Sequence, residues 1–349
     1  MTKYLPRPAW RRRADQTSGE VLQPTRPFRF AVQAYQADGA KQWRDTARTV
    51  EDLGYSALHL ADHYFGPGPV QSETGHPVQT LAAVPAMAVA AEATETLRIG
   101  ARVLGVDYHH PAVLAKEAAT LDLLSEGRLE LGLGAGWIRA EYEAMGISWD
   151  PASVRIERLG EVTALVKAHF SGEPIALAGR HVQVSGYSGV PLPVQRPRPP
   201  IMIGGGAKKV LSLAAREADI VSLNFDNSSG KLGAPSVRGS VAGQTDLKID
   251  WIREAAGERF ESVELEIGAY FTVVTSGGSQ TGAKAAEMAS AFGMDPGDLA
   301  EHPHVLVGSP DEIVERLLER RERYHISYVT VSDRTMRDFA PIVAKLSGS

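Results

Sequence analysis

The chain runs to 349 residues without a single cysteine. That excludes disulfides, thiolate metal sites and cysteine nucleophiles. No apolar run approaches the roughly 18 residues that a membrane span needs. Charge of one sign is not in excess either, with 37 Lys and Arg against 42 Asp and Glu and a net charge of −5. Neither nucleic acid nor a membrane surface is therefore an expected partner, and a cytoplasmic protein is expected. There is no repeat of solenoid period. A dinucleotide fingerprint is missing after the first strand, where Ala34-Tyr35-Gln36 replaces the glycine turn. The ten histidines show no His-x₃-His or His/carboxylate spacing, and adjacent His109 and His110 point apart, so no metal site is expected. Residues 1–26 carry Arg11-Arg12-Arg13 and three prolines but no apolar stretch, which is not a secretory signal. They read as a flexible basic arm, or one that clamps a partner subunit or covers a substrate mouth.

What is present is an alternation of strand and helix patterns from Pro27 onward. Strands are expected at Phe28–Ala34, Ala57–Ala61, Leu97–Val103, Arg128–Leu133, Pro200–Ile203, Ile220–Asn224, Val263–Val274 and Tyr328–Val331. Helices are expected between them, including Gly39–Leu53, Pro77–Ala93, Ala112–Leu124, Pro151–Phe170 and Ala207–Arg216, with a last one at Met336–Leu346. Gly172–Val194 breaks the alternation as a short hairpin, Ile175–Leu177 against His181–Val184. Asn227–Gln244, rich in Gly and Ser, reads as a mobile loop or lid. Eight βα units imply an α/β fold of the (β/α)₈ TIM-barrel type over residues 27–349 as a single domain, with the hairpin insertion after strand four and extra helices. From pattern alone, an open doubly wound sheet is the alternative.

The stretch Leu97–Gly146 is the most informative. Pro111 can open a helix as its first residue, Gly127 ends it, and Gly134-Ala135-Gly136 follows the next strand, where bare backbone can approach a ligand. Gly204-Gly205-Gly206-Ala207 joins strand five to a helix, so exposed amides and the helix dipole suit a phosphate, with Lys208 and Lys209 just beyond. Gln33, Tyr35, Tyr108, His109, His110 and Asn224 are further polar groups at the strand ends.

Taken together, His110-Pro111, Leu114-Ala115-Lys116, Ala119-Thr120-Leu121-Asp122, Leu124-Ser125-Glu126-Gly127-Arg128 and Leu131-Gly132-Leu133-Gly134-Ala135-Gly136-Trp137, with Glu141-Tyr142 beyond, resemble the luciferase-like monooxygenase superfamily. So do Leu53-Gly54-Tyr55, Ala61-Asp62-His63, Pro200 to Gly206 and Ala218-Asp219-Ile220. That superfamily includes the oxidoreductases that depend on the deazaflavin coenzyme F420. The resemblance implies F420 as cofactor, with FMN as the alternative. It maps His63 onto a histidine beside the reacting ring, and hence onto a catalytic role. Asp62 would orient the loop or that imidazole. It places a non-proline cis peptide at Arg102–Val103, against one face of the ring. Gly134, Ala135, Gly136 and Trp137 would line the ring or its ribityl chain, His110 would contact the cofactor, and Gly204–Ala207 would hold its phosphate. The sugar-phosphate dehydrogenases of the family carry a glutamate where Trp137 stands, so sugar-phosphate oxidation is not expected.

The resulting expectation is an F420-dependent oxidoreductase that reduces an activated C=C or C=N bond of a small-molecule or modified-peptide substrate, with alcohol oxidation in the reverse direction also open. A reduced-FMN monooxygenase and a non-catalytic flavin-binding barrel are the rivals. A homodimer is expected from the resemblance and from apolar positions such as Leu81, Val84, Met87 and Val89.

Overall fold

A computed structural model of the chain describes residues 26–227, 230 and 233–349. The expected arm over residues 1–26 lies outside the described residues except for Arg26. The strands are β1 Arg29–Ala34, β2 Ala57–Leu60, β3 Arg98–Ala101, β4 Leu104–Gly105, β5 Leu129–Gly134, β6 Ile175–Ala178, β7 Gln183–Tyr187, β8 Ile201–Gly205, β9 Ile220–Leu223, β10 Glu264–Gly268, β11 Phe271–Val274, β12 Val305–Gly308 and β13 Ile326–Ser332. Parallel pairing runs β3-β2-β1-β13-β10-β9-β8-β5-β4 and closes through β3–β5. The result is a closed eight-stranded parallel barrel, with β3 and β4 counting as one interrupted strand, surrounded by helices. Strands buried on both faces explain the continuous apolar runs read in the sequence.

Most expected elements appear within two residues of their stated ends, and the departures have local causes. The helix expected at Pro77–Ala93 starts only at Ala83. Residues 77–82 are tied down outside any helix instead: the Gln79 amide donates to the carbonyls of Ala61 and Leu81, and Thr80 N–H donates to Tyr35 O at 3.0 Å. A short helix at Pro69–Thr74 precedes them. The run Val263–Val274 splits at Ala269-Tyr270, and β11 leaves the barrel to pair with β12. The hairpin forms as expected, but its second strand is Gln183–Tyr187. The region expected to be a loop contains helices at Ala234–Arg238 and from Ala242.

The floor of the barrel is closed by charge. Glu130, 1% exposed, accepts from Arg29 and, at 3.0 Å, from the Tyr328 hydroxyl. Arg29 also pairs with Glu264 at 2.6 and 2.7 Å and stacks over the Tyr328 ring. Burial opposes the Glu130 charge, but Arg29, foremost, and His59 hold its carboxyl well below the usual range. The opposite end of the barrel is open.

Candidate active site

The C-terminal ends of the barrel strands surround a cavity of about 800 Å³. Such ends carry the active sites of barrels of this kind. Asp62, His63, Arg102, Val103, Gly134, Ala135, Gly136, Trp137, Gly204, Gly205, Gly206 and Ala207 all line it. His110 does not. It is exposed at the N-cap of the helix Pro111–Leu124 and makes no side-chain cap.

The Arg102–Val103 peptide is cis and separates β3 from β4. The Gln33 amide donates to Arg102 O at 3.2 Å, and Arg102 N–H donates to Leu60 O at 2.7 Å. The Arg102 side chain is buried: its Nε donates to both Glu266 oxygens at 2.9 Å and Nη1 donates to the Tyr270 hydroxyl at 2.8 Å. The Val103 side chain explains two glycines on the neighbouring strands β5 and β8. A Cβ on Gly134 would sit 2.5 Å from Val103 Cγ2, and one on Gly204 3.3 Å from its Cγ1.

His63 follows β2. Its Nδ1 hydrogen-bonds to Glu141 Oε2 at 2.8 Å. Glu141 sits on the short helix Arg139–Met145 and is completely buried. It also accepts from the Tyr108 hydroxyl at 3.0 Å and from Tyr64 N–H at 2.6 Å. Three donors on one buried carboxylate fix it in place, and it in turn fixes the His63 ring. The imidazole of His76 lies 4.1 Å from that of His63, centroid to centroid, and Trp137 packs edge-on to His63 at 6.1 Å. Burial, with help from His63, pushes His76 down to about 3, so it is neutral near pH 7. Its Nδ1–H donates to Pro77 O at 2.8 Å.

Asp62 does not orient His63. Its Oδ2 accepts from Gly105 N–H at 3.0 Å and from His109 at 2.8 Å. Burial alone would lower the His109 pKa, but the hydrogen bond and charge of Asp62 raise it. Adjacent residues on an extended strand end point to opposite sides. Asp62 therefore braces the loop after β4, while His63 turns to the helix after β5.

Gly204–Ala207 leads from β8 into the helix Lys208–Glu217, whose N-cap, Ala207, provides no side-chain cap. The glycines answer first to packing. A Cβ on Gly205 would lie 2.3 Å from Val210 Cγ1, and one on Gly206 1.9 Å from Phe225 O. Lys208 and Lys209 are exposed, facing Glu254 and Glu157.

Sequence reasoning gave no role to Glu141, His76 or Arg155. Glu141 belongs to the Glu141-Tyr142 match, four residues beyond Trp137, and only the helix turn shows its reach to His63. His76 lies outside every matched motif. Arg155 donates to Gly136 O and, at 2.9 Å, to Ala135 O, and stacks over Trp149, so it clamps the glycine turn at the cavity wall.

The family model for luciferase-like monooxygenases matches residues 25–325. The chain belongs to the luciferase-like monooxygenase family. It is 29% identical over 209 residues to an F420-dependent glucose-6-phosphate dehydrogenase of Microbacterium testaceum, an alignment that takes in 59% of this chain and 58% of that protein. It is also 29% identical over 178 residues to an FMNH₂-dependent dimethylsulfone monooxygenase of Pseudomonas putida, covering 51% of this chain and 45% of the relative. The chain thus spans about half the length of these curated relatives. A monooxygenase of Streptomyces bottropensis superposes with a TM-score of 0.69 at 23% identity, over 91% of this chain and 99% of that one.

Proposed function

We propose that this protein is an oxidoreductase that works with reduced coenzyme F420 to reduce an activated C=C or C=N bond of a small organic substrate. The observation that carries the reading is the His63–Glu141 pair at the wall of a cavity that fits a flavin-like group. The cavity is of ligand size. It offers side-chain-free backbone at Gly134 and Gly136 and ends at the uncapped helix N-terminus after Gly206, the kind of site that takes a phosphate. When bound, a deazaflavin supplies a hydride and reacts poorly with oxygen. The chain's own residues then have defined tasks. Glu141 holds His63 with its Nδ1–H inward, which leaves Nε2 free to exchange a proton with a bound molecule. Trp137 and Phe225 provide apolar wall and exclude water. Trp137 supplies no carboxyl group, so the glucose-6-phosphate activity of the F420-dependent relative is not proposed here.

The reduced-FMN monooxygenase of similar identity supports a second reading, in which the same cavity holds FMN and activates oxygen. Anaerobic assays separate the two. Oxidation of reduced F420 by a panel of activated enones and cyclic imines, with none of reduced FMN, supports the first. Turnover that needs both reduced FMN and oxygen overturns it.

A further inference from the structure

We propose that the mouth of the cavity beside β1 and β13 is a carboxylate-binding subsite with Arg334 and Tyr35 as its donors, so that the substrate is a small organic acid. The inference rests on the reading above of the cavity as the place of reaction.

β1 and β13 are parallel neighbours, paired through Gln33 and Ser332. Tyr35 and Arg334 each stand two residues beyond that last pair, on adjacent strand ends, and both line the cavity. The backbone under Arg334 is fixed. Asp333 N–H donates to Gln33 O at 3.1 Å, Arg334 N–H to Ser332 Oγ at 3.3 Å, and Thr335 N–H to Ser332 O at 3.0 Å. Arg334 also borders an adjoining recess with Gln36, Gln71, Ser72 and His76.

The hydrogen-bond donors around the cavity are not all engaged at this end. Of the three arginines on its wall, Arg102 is paired with Glu266, and Arg155 is spent on backbone carbonyls and the Trp149 face. The Arg334 guanidinium has no hydrogen bond or ion pair among the described residues. Asp62 on the same wall is tied to His109 and Asp226 is itself partnered, while Asp333, which does not line the cavity, keeps its charge and accepts from the Ser332 hydroxyl at 3.0 Å, with no ion pair to Arg334. The Tyr35 hydroxyl is likewise without a hydrogen-bond partner among the described residues. Burial, foremost, holds that phenol above its ordinary range, so it stays a donor. His76 nearby is neutral and does not compete for an anion. A guanidinium offers two parallel N–H groups that match a planar carboxylate, and a phenol adds a third donor.

This subsite is distinct from the phosphate turn. In the closed barrel order, β1 and β8 are four strands apart among eight, on opposite sides. A cofactor phosphate at β8 and a substrate carboxylate at β1 and β13 would therefore occupy opposite rims.

Calorimetric titration of the full chain with cinnamate and with cinnamamide, a matched anionic and neutral pair, tests this. The wild type is expected to favour cinnamate by about tenfold or more. Arg334→Gln should abolish that preference and leave cinnamamide binding unchanged, Arg334→Lys should restore part of it, and Tyr35→Phe should reduce it. Arg334 is exposed, so Arg334→Gln is expected to fold normally, which a thermal melt checks. Equal binding of the pair by wild type, no cinnamate binding at millimolar concentration, or a preference that survives Arg334→Gln would overturn the subsite. Loss of F420 or FMN affinity in Arg334→Gln would also overturn it, by assigning the arginine to the cofactor. Wild type that binds neither cofactor but keeps the cinnamate preference sinks the proposed function and leaves the subsite standing.

Discussion

His63 is held from behind by Glu141 and flanked by His76 and Trp137, so its ring has one orientation and one free nitrogen. His63→Ala should therefore cut turnover by the ~10²–10⁴-fold typical of a positioned acid–base group, with a smaller effect on cofactor affinity. A purely structural His63 would instead lower thermal stability and leave kcat close to wild type in the folded fraction. Steady-state kinetics with reduced F420, paired with melts, distinguishes these. Glu141 acts through His63, so it is a positioning residue, and its signature is the imidazole tautomer. In ¹⁵N spectra the wild-type His63 should carry its proton on Nδ1. Glu141→Gln should redistribute that proton and lower kcat, and Glu141→Asp should restore part of both. Unchanged His63 nitrogen shifts in Glu141→Gln would count against the pairing.

The helix Lys208–Glu217 begins without a side-chain cap at the cavity wall, and that makes a clean test at the scale of one element. Ala207→Asp places a good N-cap residue there, which should leave stability equal or raise it by about 0.5–2 kcal/mol. The same charge faces the expected phosphate, so cofactor affinity should fall by tenfold or more, ~1.4 kcal/mol. A variant with a higher Tm and unchanged affinity by fluorescence titration would move the phosphate elsewhere. Gly205→Asp is a poorer test, because its Cβ would collide with Val210. This element shows what the sequence could convey. The three glycines marked a tight strand-to-helix turn, but the packing partners that demand them, Val210 and Phe225, lie outside the turn. The barrel was legible because buried parallel strands leave uninterrupted apolar runs. The interruption at Arg102–Val103 came from resemblance, not from pattern. β12 went unread, since Val305–Gly308 pairs outside the barrel with a strand that the pattern merged into β10. His63 stood out by its motif. Its partners Glu141 and His76 did not, because contacts between different βα loops have no sequence spacing.

At the scale of the whole molecule, buried charge and buried neutral histidine both make stability fall in acid. Burial lowers the pKa of His76, to about 3, and of His169, His302, His304 and His325. Below about pH 6.5 the unfolded chain then binds more protons than the folded one, so stability falls as pH drops. His109, raised by Asp62, works the other way but is one group against five. Glu130, lowered by Arg29, adds a further loss below the ordinary carboxylate range of about 4.3. Melts should show Tm decreasing from pH 7 to pH 5 and again below 4. Glu130→Gln, which breaks the buried cluster at the barrel floor, should cost about 3–5 kcal/mol by denaturant unfolding. Among the described residues no helix is long and apolar enough to cross a membrane. The homodimer remains a proposal with an altered basis. Met87 is buried in the core, whereas Val113, Leu123 and Leu124 on the next helix are exposed. Light scattering should give twice the 37.5 kDa chain mass, and Leu124→Glu should shift it towards one. On the proposed function this barrel works with F420 rather than FMN. Parallel fluorescence titrations of the purified protein with the two oxidised cofactors decide between them. F420 should bind at least about tenfold tighter than FMN; FMN binding as tight as F420 or tighter would exclude an F420-specific barrel.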